Sequence, residues 1–150
     1  MECGTETITA FFQDDHRRLD GLFEAYQDAR ALGIPEPLDR FDAFAEGLRR
    51  HIGWEEERLF PVFEAHMGMQ MAGPTAVMRR EHREIEAVLD EIRRALADGW
   101  VGNLAEPEER LRELLSSHNG KEEQVLYPAI DNLLDPSECA GLLAAIRTEA

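Results

Sequence analysis

One sentence occurs twice in this chain, and any fold must place both copies in equivalent surroundings. "HIGWEEERLFP" at residues 51–61 and "HNGKEEQVLYP" at 118–128 correspond at seven positions in a single register, six of them identical and the seventh aromatic in both. His51 aligns with His118, Gly53 with Gly120, Glu55 and Glu56 with Glu122 and Glu123, Leu59 with Leu126, Phe60 with Tyr127, and Pro61 with Pro128. A second echo links "DDHRRLD" at 14–20 with "REHREIE" at 80–86, aligning His16 with His82 and Asp20 with Glu86. The offsets are 66 or 67 residues throughout, so the chain reads as two equivalent halves.

Hydrophobic spacing says what the halves are made of. Apolar residues recur at steps of three and four through four long segments punctuated by Gly and Pro, and no stretch alternates strictly. The segments run roughly over 5–31, 37–67, 74–98 and 107–133. Thr5 or Thr7 is placed to cap the first, and Pro107 followed by two Glu opens the fourth. A short fifth helix follows "DPSE". The expected fold is all-α: an up-down-up-down four-helix bundle with a short C-terminal helix. At 150 residues, one domain spanning 1–150 is the natural size.

Charge narrows the partners. A net charge of −15 repels phosphate backbones and anionic membranes, so neither nucleic acid nor membrane is an expected partner. No apolar run approaches the roughly 18 residues of a membrane span, and "MECGTETITA" has no basic region followed by an apolar run. A cytoplasmic protein is expected. Cys3 and Cys139 lie at opposite ends without CxxC spacing, which suggests neither a disulfide framework nor a thiolate metal site.

The chemistry lies in the histidines. His16 continues the inward stripe of Phe12, Leu19 and Phe23, and His82 stands between Met78 and Ile85 on the third helix. His51 falls beside Leu48 and Ile52, with Glu55 four residues on, and His118 has Glu122 four residues on. Residues at i and i+4 share one helical face, so each pair offers an imidazole nitrogen and a carboxylate oxygen together. Bare carboxylates in a bundle core are costly, and imidazoles also need partners. A metal satisfies both, and two equivalent ligand sets suit two metals. Mixed imidazole and carboxylate donors suit iron or manganese better than thiolate-seeking metals, and iron is the expected ion.

The ordered set of His16, His51 with Glu55, His82, and His118 with Glu122, together with the "LFP" and "LYP" tails, resembles the hemerythrin-like family with its HHE cation-binding domain. The resemblance implies a non-haem di-iron centre with Glu55 and Glu122 bridging. His16 and His51 would serve one iron, and His82 and His118 the other. Oxygen-carrying members have a histidine where this chain has Glu86, which here is a ligand, an acceptor orienting an imidazole, or a solvated charge. As a ligand it would favour ferric iron over reversible oxygen carriage.

The resemblance implies binding of dioxygen or a related small ligand, for sensing, storage or redox response. A di-iron enzyme acting on peroxide or repairing iron centres, or an iron store, is the alternative. Repair-type members carry a cysteine-containing N-terminal segment, and only about ten residues precede the first helix here, which places repair second. No nucleophile with a base is visible by spacing, so a binding protein is expected before a catalyst.

The remaining residues receive plainer expectations. Glu56 and Glu123, about 100° round the helix from the bridges, are expected in salt bridges or solvent. Gly53 and Gly120 suggest close approach of a neighbouring helix. Pro61 and Pro128 should bend or end their helices. Tyr127 lies one residue from the stripe of Leu126, within reach of groups behind the ligands, but its alignment with Phe60 makes aromatic packing its main expected role. His66 belongs at the surface, and Met67, Met69 and Met71 in a flexible loop with one apolar cover residue.

Overall fold

The computed structural model describes residues 6–68, 73–99, 102 and 104–149. Helix α1 (Ile8–Leu32) starts at Thr7, whose side chain accepts the Ala10 N–H at 3.0 Å. It ends at Gly33, where φ of 71° lets the Ile34 N–H reach back to the Ala29 carbonyl. The second rod is continuous from α2 (Pro37–Trp54) through a π turn, π1 (Glu55–Leu59), into α3 (Phe60–Met67). The third is α4 (Pro74–Ala97). The fourth repeats the second: α5 (Ala105–Lys121), π2 (Glu122–Leu126) and α6 (Tyr127–Leu133). The C-terminal helix α7 (Pro136–Glu149) opens with a capping box, Asp135 accepting the Glu138 N–H and Glu138 accepting the Asp135 N–H.

The rods form the expected all-α bundle. α1 lies against α2, α2 against α4, α4 against α5, and α6 closes back on α1. Helix α7 lies against π1. The fourth rod is fastened to the start of the first by Asp131, whose carboxylate accepts the Ile8 and Thr9 N–H groups at 2.7 and 3.1 Å. These are donors that an α-helix leaves unpaired in its first turn.

Two apolar clusters occupy the interior. One gathers Leu19, Phe23, Tyr26, Phe41, Phe44, Ile85, Leu89, Ile92 and Leu111; the other gathers Ile8, Phe12, Leu59, Phe60, Met78, Leu126, Tyr127 and Ile130. On α1, α4 and α5 the histidines fall between residues of one cluster and residues of the other. Truncating a fully buried ring such as Phe12 or Phe41 would cost about 3–5 kcal/mol. The glycines behave differently from expectation. A methyl at Gly120 would meet nothing within 4 Å, and at Gly53 only the Glu57 carboxylate at 4.0 Å. The close helix approach is at Gly47, where an added carbon would stand 2.9 Å from Leu19.

At the end of the first cluster, Glu108 accepts hydrogen bonds from Tyr26 at 2.6 Å, Gln27 at 3.3 Å and the Nε and Nη2 of the Arg30 guanidinium at 2.6 and 2.7 Å. Burial alone would raise its pKa, but the bonds from Arg30 and Tyr26 outweigh burial and hold the carboxyl below its ordinary value of 4.5. A depressed carboxyl contributes stability that is fully present above 4.5 and is lost as pH falls through the folded value. Glu108→Gln should therefore cost about 1–3 kcal/mol in urea unfolding at neutral pH. Its stability should also fall less than that of the wild type below pH 4.5; parallel acid profiles for the two chains would refute this account.

Candidate metal centre

Glu55 and Glu122 are both fully buried, each at the first position of its π turn. Each carboxylate turns one oxygen to each histidine pair. Glu55 Oε2 stands 3.5 Å from His51 Nε2 and Oε1 stands 3.0 Å from His82 Nε2. Glu122 Oε1 stands 3.2 Å from His16 Nε2 and Oε2 stands 3.1 Å from His118 Nε2. Two groups result, His16 with His51 and His82 with His118, each sharing Glu55 and Glu122 and each with its ligand atoms within 4.8 Å of one another.

Every imidazole is held from behind. The Nδ1 of His16 meets Glu123 at 2.6 Å, that of His51 meets Asp15 at 2.8 Å, that of His82 meets Glu56 at 2.6 Å, and that of His118 meets Glu81 at 2.8 Å. An acceptor at Nδ1 fixes the tautomer and aims Nε2 inward, the usual arrangement behind a metal-binding histidine. The pattern obeys the repeat. The residue before the histidine of α1 or α4 holds the histidine of the next rod, and the second Glu of each Glu-Glu pair likewise holds the histidine of the rod that follows, the fourth rod closing back on the first. Glu56 and Glu123 are thus tied to imidazoles rather than left to solvent. Asp15 and Glu81 were missed in the sequence, although each stands beside a repeated histidine.

Electrostatics define what the centre needs. Burial alone would push the imidazole pKa values down, but the facing carboxylates outweigh it, raising His51 to about 10, His82 to about 9, and His118 in the same direction. Burial would raise Glu55, yet His51 and His82 hold it well below its usual range. The pocket demands positive charge. Among the described residues, Glu55 Oε1, His82 Nε2 and Glu122 Oε2 also have no hydrogen-bond partner, the His82 and Glu55 atoms being close without the geometry of a bond. At about 1–3 kcal/mol each, three such atoms are a serious charge against a typical stability of about 5–15 kcal/mol. A cation facing all three lone pairs removes the penalty, so the donor set fits a bound metal.

The π turns explain the paired prolines. The Phe60 N–H reaches the Glu55 carbonyl, and the Tyr127 N–H reaches that of Glu122, each five residues back. Continuing that register, Glu56 would receive a proton from residue 61, which is proline and has none. Arg79 Nη2 donates to the Glu56 carbonyl at 3.3 Å and also grips the buried Glu64 carboxylate at 3.2 Å. The prolines therefore neither end their rods nor stand alone; each opens the α-helical segment that follows a widened turn. Widening rotates the next residue inward, so Leu59 and Phe60 are both buried, as are Leu126 and Tyr127.

Tyr127 consequently does more than pack. Its hydroxyl lies within hydrogen-bond distance of both Glu55 and Glu122, the latter at 2.9 Å, with one proton to share between them. Phe60 stacks on His82 at 5.8 Å with an 8° interplanar angle. Glu86 joins neither group; half-buried, its carboxylate lies 3.4 Å from Arg83, as a solvated charge does. His66 is at the surface, 3.9 Å from Glu138. Met67 is exposed, while Met69 and Met71 lie outside the described residues. Cys139 is a buried free thiol, and Cys3 also lies outside the described residues.

A four-rod bundle with a buried layer of imidazoles and shared carboxylates defines a cation-binding class. The chain belongs to the hemerythrin family: residues 7–131 match the hemerythrin HHE cation-binding domain. It is similar to the iron-sulfur cluster repair protein YtfE of Cronobacter sakazakii, 32% identical over 94 residues, 62% of this chain and 40% of that one. The YtfE proteins of Salmonella paratyphi B and Salmonella newport are 32% identical over 114 residues, 72% of this chain and 50% of theirs. The chain thus spans half or less of the length of these relatives. No solved structure matches it. Among the described residues, no helix is long and apolar enough to cross a membrane.

Arg79 sustains both the first π turn and Glu64. Arg79→Ala should lower stability by about 1–3 kcal/mol in chemical denaturation, since a buried carboxylate loses its partner. Arg79→Lys should recover only part, because a point charge cannot span two sites as a planar fork does. Full recovery with lysine would show that charge alone matters there.

Proposed function

We propose that this domain holds two iron ions, one between His16 and His51 and one between His82 and His118, bridged by Glu55 and Glu122. The observation that carries the reading is the convergence of four Nε2 atoms, each imidazole held from behind by its own carboxylate, on two fully buried shared carboxylates. Neutral imidazole with carboxylate is a donor set suited to iron. Bound there, iron would supply a one-electron redox couple and coordination positions for a small ligand such as dioxygen.

The chain's own residues set the terms of that chemistry. Asp15, Glu56, Glu81 and Glu123 orient the imidazoles, and the apolar clusters on both sides limit water. No organic substrate recognition is evident in the centre, so we favour binding, sensing or redox response to a small ligand, in the cytoplasm and as one domain over 1–150. Glu86 is left out of the ligand set because its carboxylate is turned to Arg83. The printed names of the relatives support a second reading, in which the same centre serves repair of iron-sulfur clusters.

Metal analysis of chain produced in iron-replete medium should find two ions per molecule. Glu122→Ala should lose both, because its two oxygens face both histidine pairs. Glu123→Ala should weaken binding about 10–100-fold through His16 alone. Equal loss in the two variants, or one ion in the wild type, would count against the bridged pair. For function, the reduced iron-loaded chain should change its absorption on exposure to dioxygen; an inert spectrum would leave the repair reading in first place.

A further inference from the structure

The six proposed ligands form three matched pairs between the two halves of the centre, whereas the residue that follows each π turn differs in kind, Phe60 in the first copy and Tyr127 in the second. Both side chains are fully buried, and both are turned inward by a π turn. Their ends do different things. The Phe60 ring covers His82 face to face. The Tyr127 oxygen enters the first group: it bonds to Glu55 Oε2 and, at 2.9 Å, to Glu122 Oε1. It also lies 3.4 Å from both His16 Nε2 and His51 Nε2.

One oxygen therefore faces all four ligand atoms of one group. With metal–donor bonds of about 2.1 Å, neighbouring donors of an octahedron stand about 3 Å apart by geometry. An oxygen close to four donors at once occupies the place of a fifth, adjacent to all of them. Among the described residues the second group has no counterpart. The carboxylate oxygens on its side, Glu55 Oε1 and Glu122 Oε2, are the ones without a hydrogen-bond partner.

Resting on the di-iron reading, we propose that the Tyr127 phenol oxygen is the fifth protein donor to the cation between His16 and His51, and that the two sites are inequivalent for this reason. The first site has two nitrogens and three oxygens from the chain; the second, between His82 and His118, has two of each and is the one left with room for an external small ligand, beneath Phe60. As the metal–oxygen bond forms, the phenol O–H bond breaks and its proton leaves to solvent, with no change in oxidation state. An anionic oxygen donor then favours the ferric ion at the first site and leaves the second as the reactive partner.

The chain has only two tyrosines, and Tyr26 is bonded to Glu108 in the other apolar cluster, so the signal can be assigned. Full-length protein is loaded with iron, its metal content is measured, and the ferric form is examined by visible absorption and resonance Raman spectroscopy. Expected is a phenolate-to-iron charge-transfer band with enhanced tyrosine ring modes, retained in Tyr26→Phe and absent in Tyr127→Phe that still carries iron. Phe60→Tyr should add intensity by placing a second phenol at the other site. Should Tyr127→Phe not fold, retention in Tyr26→Phe together with ring-deuterium shifts in the wild type makes the same assignment. Iron-loaded wild type without tyrosine modes, or modes that survive Tyr127→Phe, overturns the inference and makes Tyr127 a hydrogen-bond donor to the carboxylates. A wild type that takes up no iron overturns the di-iron reading and this inference with it.

Discussion

Two carboxylates with no exposure to water, facing each other in the middle of a helical bundle, set the terms for everything around them. Hydrophobic burial cannot support such groups, and lone charges in the interior are among the most expensive features a protein can contain. The chain answers with positive charge in layers. Imidazoles surround Glu55 and Glu122, further carboxylates stand behind the imidazoles, and Arg18, Arg83 and Lys121 stand behind three of those. Signs alternate outward from the centre to the surface. Each layer is intelligible only from the one inside it.

Backbone geometry carries the same demand. An uninterrupted α-helix would keep one hydrophobic phase along the second and fourth rods. A π turn at each glutamate inserts an extra residue into the turn and brings two consecutive side chains indoors. The prolines hold this register, since neither can donate the hydrogen bond that a regular ladder would need. Arg79 then satisfies a carbonyl left over in the first turn. Local irregularity here is part of how the centre is aimed.

Much of this could be read from the residues. Helical periodicity located the rods to within a few positions, because their apolar stripes are long and their ends carry strong stop signals. The inward histidines were visible because each interrupts such a stripe. Less visible was whatever passes between rods. Asp15 and Glu81 act on histidines 36 and 37 positions away, and no local pattern announces a contact of that kind. Tyr127 was misjudged for a definite reason: a uniform period of 3.6 residues points it away from Glu122, whereas the widened turn stacks it five residues on. Gly53 and Gly120 repeat without any close neighbour, and the structure supplies no steric reason for them.

The apolar clusters on either side of the polar layer carry a consequence for mutational history. Each draws residues from all four rods, so the bundle is fastened independently above and below its centre. Neither cluster contains a histidine or a glutamate of the centre, so the apolar fastening does not depend on those side chains. Residues of the polar layer can vary while the apolar contacts that define the bundle stay the same, so the fold and the chemistry of its centre are separable in evolution.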